Sequence, residues 1–178
     1  MSVAQVGKKN GFARRLLVIW YVSALLLPTA AKGQVEARII SITARKASLA
    51  VVPLKIGNLT GKNVTAFEFI VSCDTSLLVL KGVEQKGTLT EGLTMFANNR
   101  VTPFGPGHMK VVCATATAIV GDGVLVNILV SVRGKSGKTR IALSDFVLNA
   151  GTPAVKTRSG NVAIVSDGSE RIPNRNIK

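Results

Sequence analysis

Residues 63–73, NVTAFEFIVSC, alternate with a period of two. Phe67, Phe69 and Val71 share one parity, while Ala66, Glu68 and Ser72 share the other. Successive side chains of a strand point to opposite faces, so this run predicts a strand with one face on a core and the other on solvent. Similar runs surround it. Residues 35–44 and 48–56 precede it, and residues 77–83, 94–97, 109–119, 124–132, 139–148 and 155–165 follow. Gly, Asn, Asp and Pro punctuate the intervals, as in GNLTG at 57–61, the Pro103 to Gly107 connection, GDG at 121–123 and GKSG at 134–137. These residues favour turns. About nine short strands, no long helical pattern and no internal repeat predict an all-β sandwich or barrel. Pro53 cannot donate to a ladder, which predicts that its strand lies at an edge or bulges there.

The first 33 residues follow a different pattern. Lys8, Lys9, Arg14 and Arg15 make the start basic, with no acid. Residues 16–27, LLVIWYVSALLL, then form an unbroken apolar run, closed by Pro28 and the small residues Ala30, Ala31 and Gly33. A basic start, a short apolar core and a small-residue zone are the parts of a secretory signal. The expected cut follows Gly33, with a cut after Ala31 as the alternative. A retained membrane anchor is the rival reading, but the run is shorter than the roughly 17–25 residues a spanning helix needs. The expected organisation is a signal peptide at 1–33, one β-sandwich domain at 34–165 and a disordered polar tail at 166–178. The expected destination is outside the cytoplasm: secreted, periplasmic or at the cell surface.

The chain carries 23 Lys and Arg against 9 Asp and Glu. Five of the basic residues lie in the leader, so the remainder stays basic, at 18 against 9. The cations are scattered, which reads as a basic soluble surface and gives no clustered nucleic-acid footprint. Catalytic patterns are missing. The one histidine, His108, stands in a Pro/Gly-rich connection; there is no G-x-S-x-G elbow, and GKSGK at 134–138 lacks the P-loop spacing. Cys73, Cys113 and His108 fall short of a closed zinc site. Asp122, between two glycines, reads as a turn residue and not as part of a calcium loop. The reading is a non-enzyme that needs no cofactor and no metal. Trp20 and Tyr21 belong to the leader, and the rest of the chain holds only Phe67, Phe69, Phe96, Phe104 and Phe146 as aromatics. Phe96 and Phe104 are the candidates for exposed rings, too few for a flat sugar-stacking platform. A polar groove stays open as an alternative.

Two segments carry a family resemblance. GNLTGKNVTAFEFIVSCDTSLLVLKGVEQKGTL, starting at Gly57, resembles the second to fourth strands of a cohesin domain. IVGDGVLVNILVSVRGKSGKTRIALSDFVLNAGTPAVKTRSGNVAI, starting at Ile119, resembles the closing strands, and KVVCATATAI lies between them where the family has its sixth strand. The likeness covers roughly residues 35–165. It implies a nine-stranded jelly-roll sandwich. It also implies docking of a partner protein, a calcium-binding dockerin module tethered to polysaccharide-degrading enzymes, through the face made by the eighth, third, sixth and fifth strands. The family's outward Asn and Asp on the third strand correspond here to Ala66 and Glu68. With them the resemblance assigns Ile70, Ser72, Val112 and Ala114, and beyond these Ala116, to the partner-binding face. Because the third and sixth strands are neighbours in that fold, it further implies a buried disulfide between Cys73 and Cys113, the alternative being two separate buried thiols. A carbohydrate-binding module of the same fold, with polysaccharide as partner, and a structural cell-envelope protein remain the rival functions. Membrane contact is expected only through an uncleaved leader.

Overall fold

The computed structural model describes residues 34–100 and 105–166. The expected leader, the Phe104 ring and the expected tail from residue 167 onward lie outside these residues. Eleven strands form: β1 (Val35–Ile39), β2 (Ile42–Arg45), β3 (Leu49–Ile56), β4 (Val64–Cys73), β5 (Leu78–Glu84), β6 (Met95–Asn98), β7 (His108–Ile119), β8 (Gly123–Val132), β9 (Gly137–Leu148), β10 (Val155–Arg158) and β11 (Gly160–Val165). They build two sheets, ordered β10-β1-β3-β8-β5 and β2-β11-β9-β4-β7-β6. The fold is an all-β sandwich.

Eleven strands replace the expected nine because two expected strands change sheets midway. Residues 35–45 run as β1 in the first sheet and then as β2 in the second. Residues 155–165 do the same as β10 and β11. The two crossings stand side by side. β1 pairs β10 in parallel, β2 pairs β11 in parallel, and the Asn161 N–H donates to the Ser41 hydroxyl at 3.0 Å. A Cβ at Gly160 would lie 2.8 Å from the Ile39 carbonyl oxygen, so only glycine fits this approach.

Of the two alternatives expected from Pro53, an edge or a bulge, the structure has the bulge. β3 lies inside the first sheet, between β1 and β8. The Pro53 carbonyl accepts the Ile40 N–H at 2.9 Å, so the ring nitrogen faces the same side, where β1 has already ended at Ile39. The missing donor is therefore not required. The bulge is present, with the β3–β8 register shifting between Leu54 and Lys55.

The inner faces of both sheets bury an aliphatic core around a phenylalanine group. Phe67, Phe69 and Phe146 stack with ring centroids 5.3–6.4 Å apart. Phe146 reaches the core only because β9 bulges. Asp145 takes φ 49°, and Glu68 opposes Val147 while Ile70 opposes Ser144, three residues against two. One extra residue keeps both Leu143 and Phe146 inward. Asn149, at φ 48°, then ties the end of β9 to the start of β4. Its Oδ1 accepts the N–H groups of Thr65 (2.9 Å) and Ala66 (3.2 Å), and its Nδ2 donates to the Asn63 and Thr152 carbonyls. On the far flank, the β5–β6 connection is held down by the buried Thr90 hydroxyl, which donates to the Leu125 carbonyl at 2.8 Å. The Gln85 amide also donates to the carbonyls of Thr90 and Leu93.

The expected disulfide is not formed: Cys73 and Cys113 are both free. β4 and β7 are neighbours, but Cys113 stands opposite Phe67, six residues before Cys73 on β4. That offset is about 20 Å at roughly 3.4 Å per residue, whereas a bridge needs Cα atoms within about 7 Å. Cys113 is buried in the core. Burial pushes the Cys73 thiol up to about 11, helped by the adjacent Asp74 carboxylate, against a smaller opposing hydrogen bond to the backbone of Leu80. Asp74 is held below the usual carboxylate range by the Ser76 hydroxyl and N–H. Burial raises the Cys113 thiol as well.

Two outcomes follow from these contacts. Asn149→Asp keeps the acceptor and loses the donors, so denaturant unfolding should show a loss of about 1 kcal/mol, against about 2–4 kcal/mol for Asn149→Ala, which strands two backbone donors. An alanine variant as stable as the wild type contradicts this account. Unreduced protein should titrate two thiols in denaturant. In the native state at pH 8, Cys73 should react about 100-fold more slowly than an unshifted thiol and accelerate as pH climbs toward its raised pKa. Absence of titratable thiol would restore the disulfide.

Candidate functional site

The outer face of β9, β4, β7 and β6 brings together the residues singled out by sequence. Along β4, Ala66, Glu68, Ile70 and Ser72 oppose Ala114, Val112, Lys110 and His108 of β7 in turn. On the other side, Glu68 opposes Val147, Ile70 opposes Ser144 and Ser72 opposes Ala142 of β9. At the edge, β6 sets Phe96 opposite Val112 and Asn98 opposite Lys110. The lateral order β9-β4-β7-β6 corresponds to the eighth, third, sixth and fifth strands expected from the resemblance.

Exposure divides the set. Phe96 is 72% exposed and Val112 37%, and Ala114 is exposed beside them. Ala66, Glu68 and Ser72 are half-buried. Ile70 is corrected as a contact residue: it is only 6% exposed, although it faces away from the core cluster. Its cross-strand partner Lys110 extends its ammonium to the Glu68 carboxylate, Nζ to Oε2 at 2.9 Å, laying the aliphatic stem along the face beside Ile70. Ala116 is exposed but leaves the row, because β7 steps from Ala114 opposite Ala66 to Ile119 opposite Val64 and residues 115–118 bow out.

The site therefore carries one ion pair, Glu68–Lys110, in a surface of mostly small and apolar side chains, with the exposed Asp145 carboxylate beside Ser144 at the β9 bulge. Both charged groups of the pair are about 40% exposed. Such a pair adds little stability and acts chiefly as a polar marker on the face. Among the described residues, no three His, Cys, Asp or Glu side chains stand close enough to share a metal ion. The arrangement offers area, shape and one charge-assisted hydrogen-bonding point.

Sequence reasoning missed Phe96, Asn98, His108, Lys110, Ala142, Ser144 and Val147 on this face, and three of them show why. Phe96 was visible as an exposed-ring candidate, yet its register opposite Val112 was not. Lys110 shares the parity of Val112 and was readable from that alternation. Val147 was hidden, since the extra residue at Asp145 inverts parity in the last part of β9.

Solved structures with this fold come from distant relatives. A non-cellulosomal cohesin from the hyperthermophilic archaeon Archaeoglobus fulgidus is 24% identical, with a TM-score of 0.62 over 76% of this chain and 94% of that one. The structure of a type I cohesin–dockerin complex from Clostridium thermocellum gives 21% identity and a TM-score of 0.62 over 74% and 99%. A cohesin from Clostridium acetobutylicum, determined in solution, gives 13% identity and a TM-score of 0.63 over 75% and 92%. No curated protein matches the chain. The cohesin domain family itself matches residues 35–169, spanning β1 to β11 and every residue of the face just described; on that match, the chain belongs to the cohesin domain family.

Proposed function

We propose that this chain is an exported, non-catalytic adaptor that docks a calcium-binding dockerin module through the outer face of β9-β4-β7-β6. The observation carrying this reading is the exposed apolar strip of Phe96, Val112 and Ala114 beside the Glu68–Lys110 pair. Family membership and the solved cohesin–dockerin complexes support it. Through such a partner the chain would gather enzymes of polysaccharide degradation outside the cell.

The mechanism is surface complementarity. Binding sites of this kind place an aromatic or aliphatic anchor in a desolvated contact and fix register with few polar groups. Here Phe96 is the anchor. Ala66 replaces the family's amide, so the row it shares with Ala114 offers only apolar contact. Glu68 keeps the carboxylate, and Lys110 neutralises it in the free protein. A partner must therefore bring a hydrogen-bond donor that shares Glu68 without a further charge, together with an apolar surface over Phe96 and Val112.

Calorimetry against a panel of purified, calcium-loaded dockerin modules tests this directly. At least one module should bind, and chelating calcium should abolish binding. Glu68→Arg, which sets a second cation beside Lys110, should weaken affinity about 100-fold or more, and Phe96→Ala about 10-fold. Leu49→Ser on the outer face of the other sheet should change it less than about twofold. If no module binds, or the two face variants bind like the wild type, the adaptor reading fails. Mass spectrometry of the exported form should find Gln34 as its first residue.

A further inference from the structure

The outer surface of the β10-β1-β3 end of the first sheet holds a second arrangement, apart from the docking face. Lys55 of β3 stands directly opposite Arg38 of β1, and Arg38 stands directly opposite Arg158 of β10. All three are exposed. Like charges set opposite one another across strands about 4.8 Å apart are destabilising. Two carboxylates stand by the row: Glu36 Oε1 lies 3.0 Å from Arg158 Nε, and Asp122 lines one pocket with Glu36, Arg38 and Lys55. Around the edge, Arg158 shares a groove of about 410 Å³ with Arg140 of β9, Thr157, Ser159 and Asn161, and among the described residues no acid lines it. The Arg140 guanidinium is held there, donating from Nη2 to the Ser159 hydroxyl at 2.9 Å.

We infer that Lys55, Arg38, Arg158 and Arg140 form a track that binds an anionic polysaccharide through its carboxylates. The guanidinium fork pairs with carboxylate in two parallel hydrogen bonds, and two such forks lining one groove without an acid fit that chemistry. The track bends from the outer face of one sheet to a strand of the other. A flexible linear polymer can follow that path, whereas a flat lipid surface meets only part of it. Among the described residues, no aromatic side chain lies along the track on which a nucleic-acid base could stack. The track meets the outer face of β9 at Arg140, two residues from Ala142, while Lys55, Arg38 and Arg158 belong to the other sheet, so the Arg38 and Lys55 variants separate this reading from the adaptor reading.

Binding of the leaderless protein to polygalacturonate tests the proposal, with neutral dextran, duplex DNA and phosphatidylglycerol vesicles as comparison probes. Polygalacturonate should bind, dextran should not, and affinity should fall steeply between about 50 and about 300 mM salt. Arg140→Gln with Arg158→Gln should lose about 10-fold or more in affinity. Arg38→Gln with Lys55→Gln should lose a similar amount and leaves both the Glu36–Arg158 pair and the Arg140–Ser159 bond intact. Lys46→Gln with Lys86→Gln removes the same charge from exposed positions elsewhere and should lose less than about twofold. Equal losses in all three variants would make binding a property of net charge and overturn the track. Tighter binding to vesicles or DNA than to polygalacturonate would overturn the polysaccharide as its ligand.

Discussion

Gly160 has no Cβ, and one placed there would press against Ile39 at 2.7 Å from its Cγ2 and 2.8 Å from its carbonyl oxygen. At this contact two strands that begin in one sheet pass into the other. The chain's first strands and its last strands use the same crossing, so each sheet gains a parallel pair at one edge while the remaining pairings stay antiparallel. Burial of the aliphatic core and the three stacked phenylalanines then depends on two sheets held in a fixed relation along this seam. The opposite flank is closed by weaker means, through the side-chain hydrogen bonds of Gln85 and Thr90.

The same frame sets two surfaces with different chemistry. On one, the bulge at Asp145 and the Asn149 contacts fix how β9 meets β4, so Val147, Glu68, Val112 and Phe96 lie in one lateral row across four strands. On the other, the parallel approach of β10 to β1 forces Arg158 beside Arg38. The first surface is close to neutral and partly apolar; the second is basic and polar. The scattered cations of the sequence are thus unevenly spread in space, because strand register gathers residues such as Lys55, Arg38 and Arg158 that are far apart along the chain.

Much of this was legible in the sequence. Alternation in residues 63–73 identified the core side of β4, and turn residues located most strand ends. Matching that strand to a family placed Ala66, Glu68, Val112 and Ala114 on one face. Features that depend on register were not legible. Only a lone Ser41 marks the first switch and Ser159-Gly160 the second, each inside an otherwise strand-like run, so each pair of strands read as one. Neighbouring strands do not imply neighbouring residues, and Cys73 and Cys113 sit on adjacent strands six positions out of step. Pro53 obeys its rule locally, since its nitrogen faces a gap left by a departing strand, yet β3 is central. Ile70 faces outward as its parity requires, yet it is nearly buried between Lys110 of β7 and Ser144 of β9.

The parallel pairing at the seam has a mechanical consequence. β1 leads the domain and β11 ends it; β1 runs alongside β10, and β11 alongside β2, in the same direction. Tension applied at residues 34 and 166 drags β1 backward past β10 while drawing β11 forward past β2. The hydrogen bonds of both pairs are then loaded together, in shear, and cannot be peeled one at a time from a free end. A domain threaded this way resists extension along its own chain axis more than it resists a pull across its sheets.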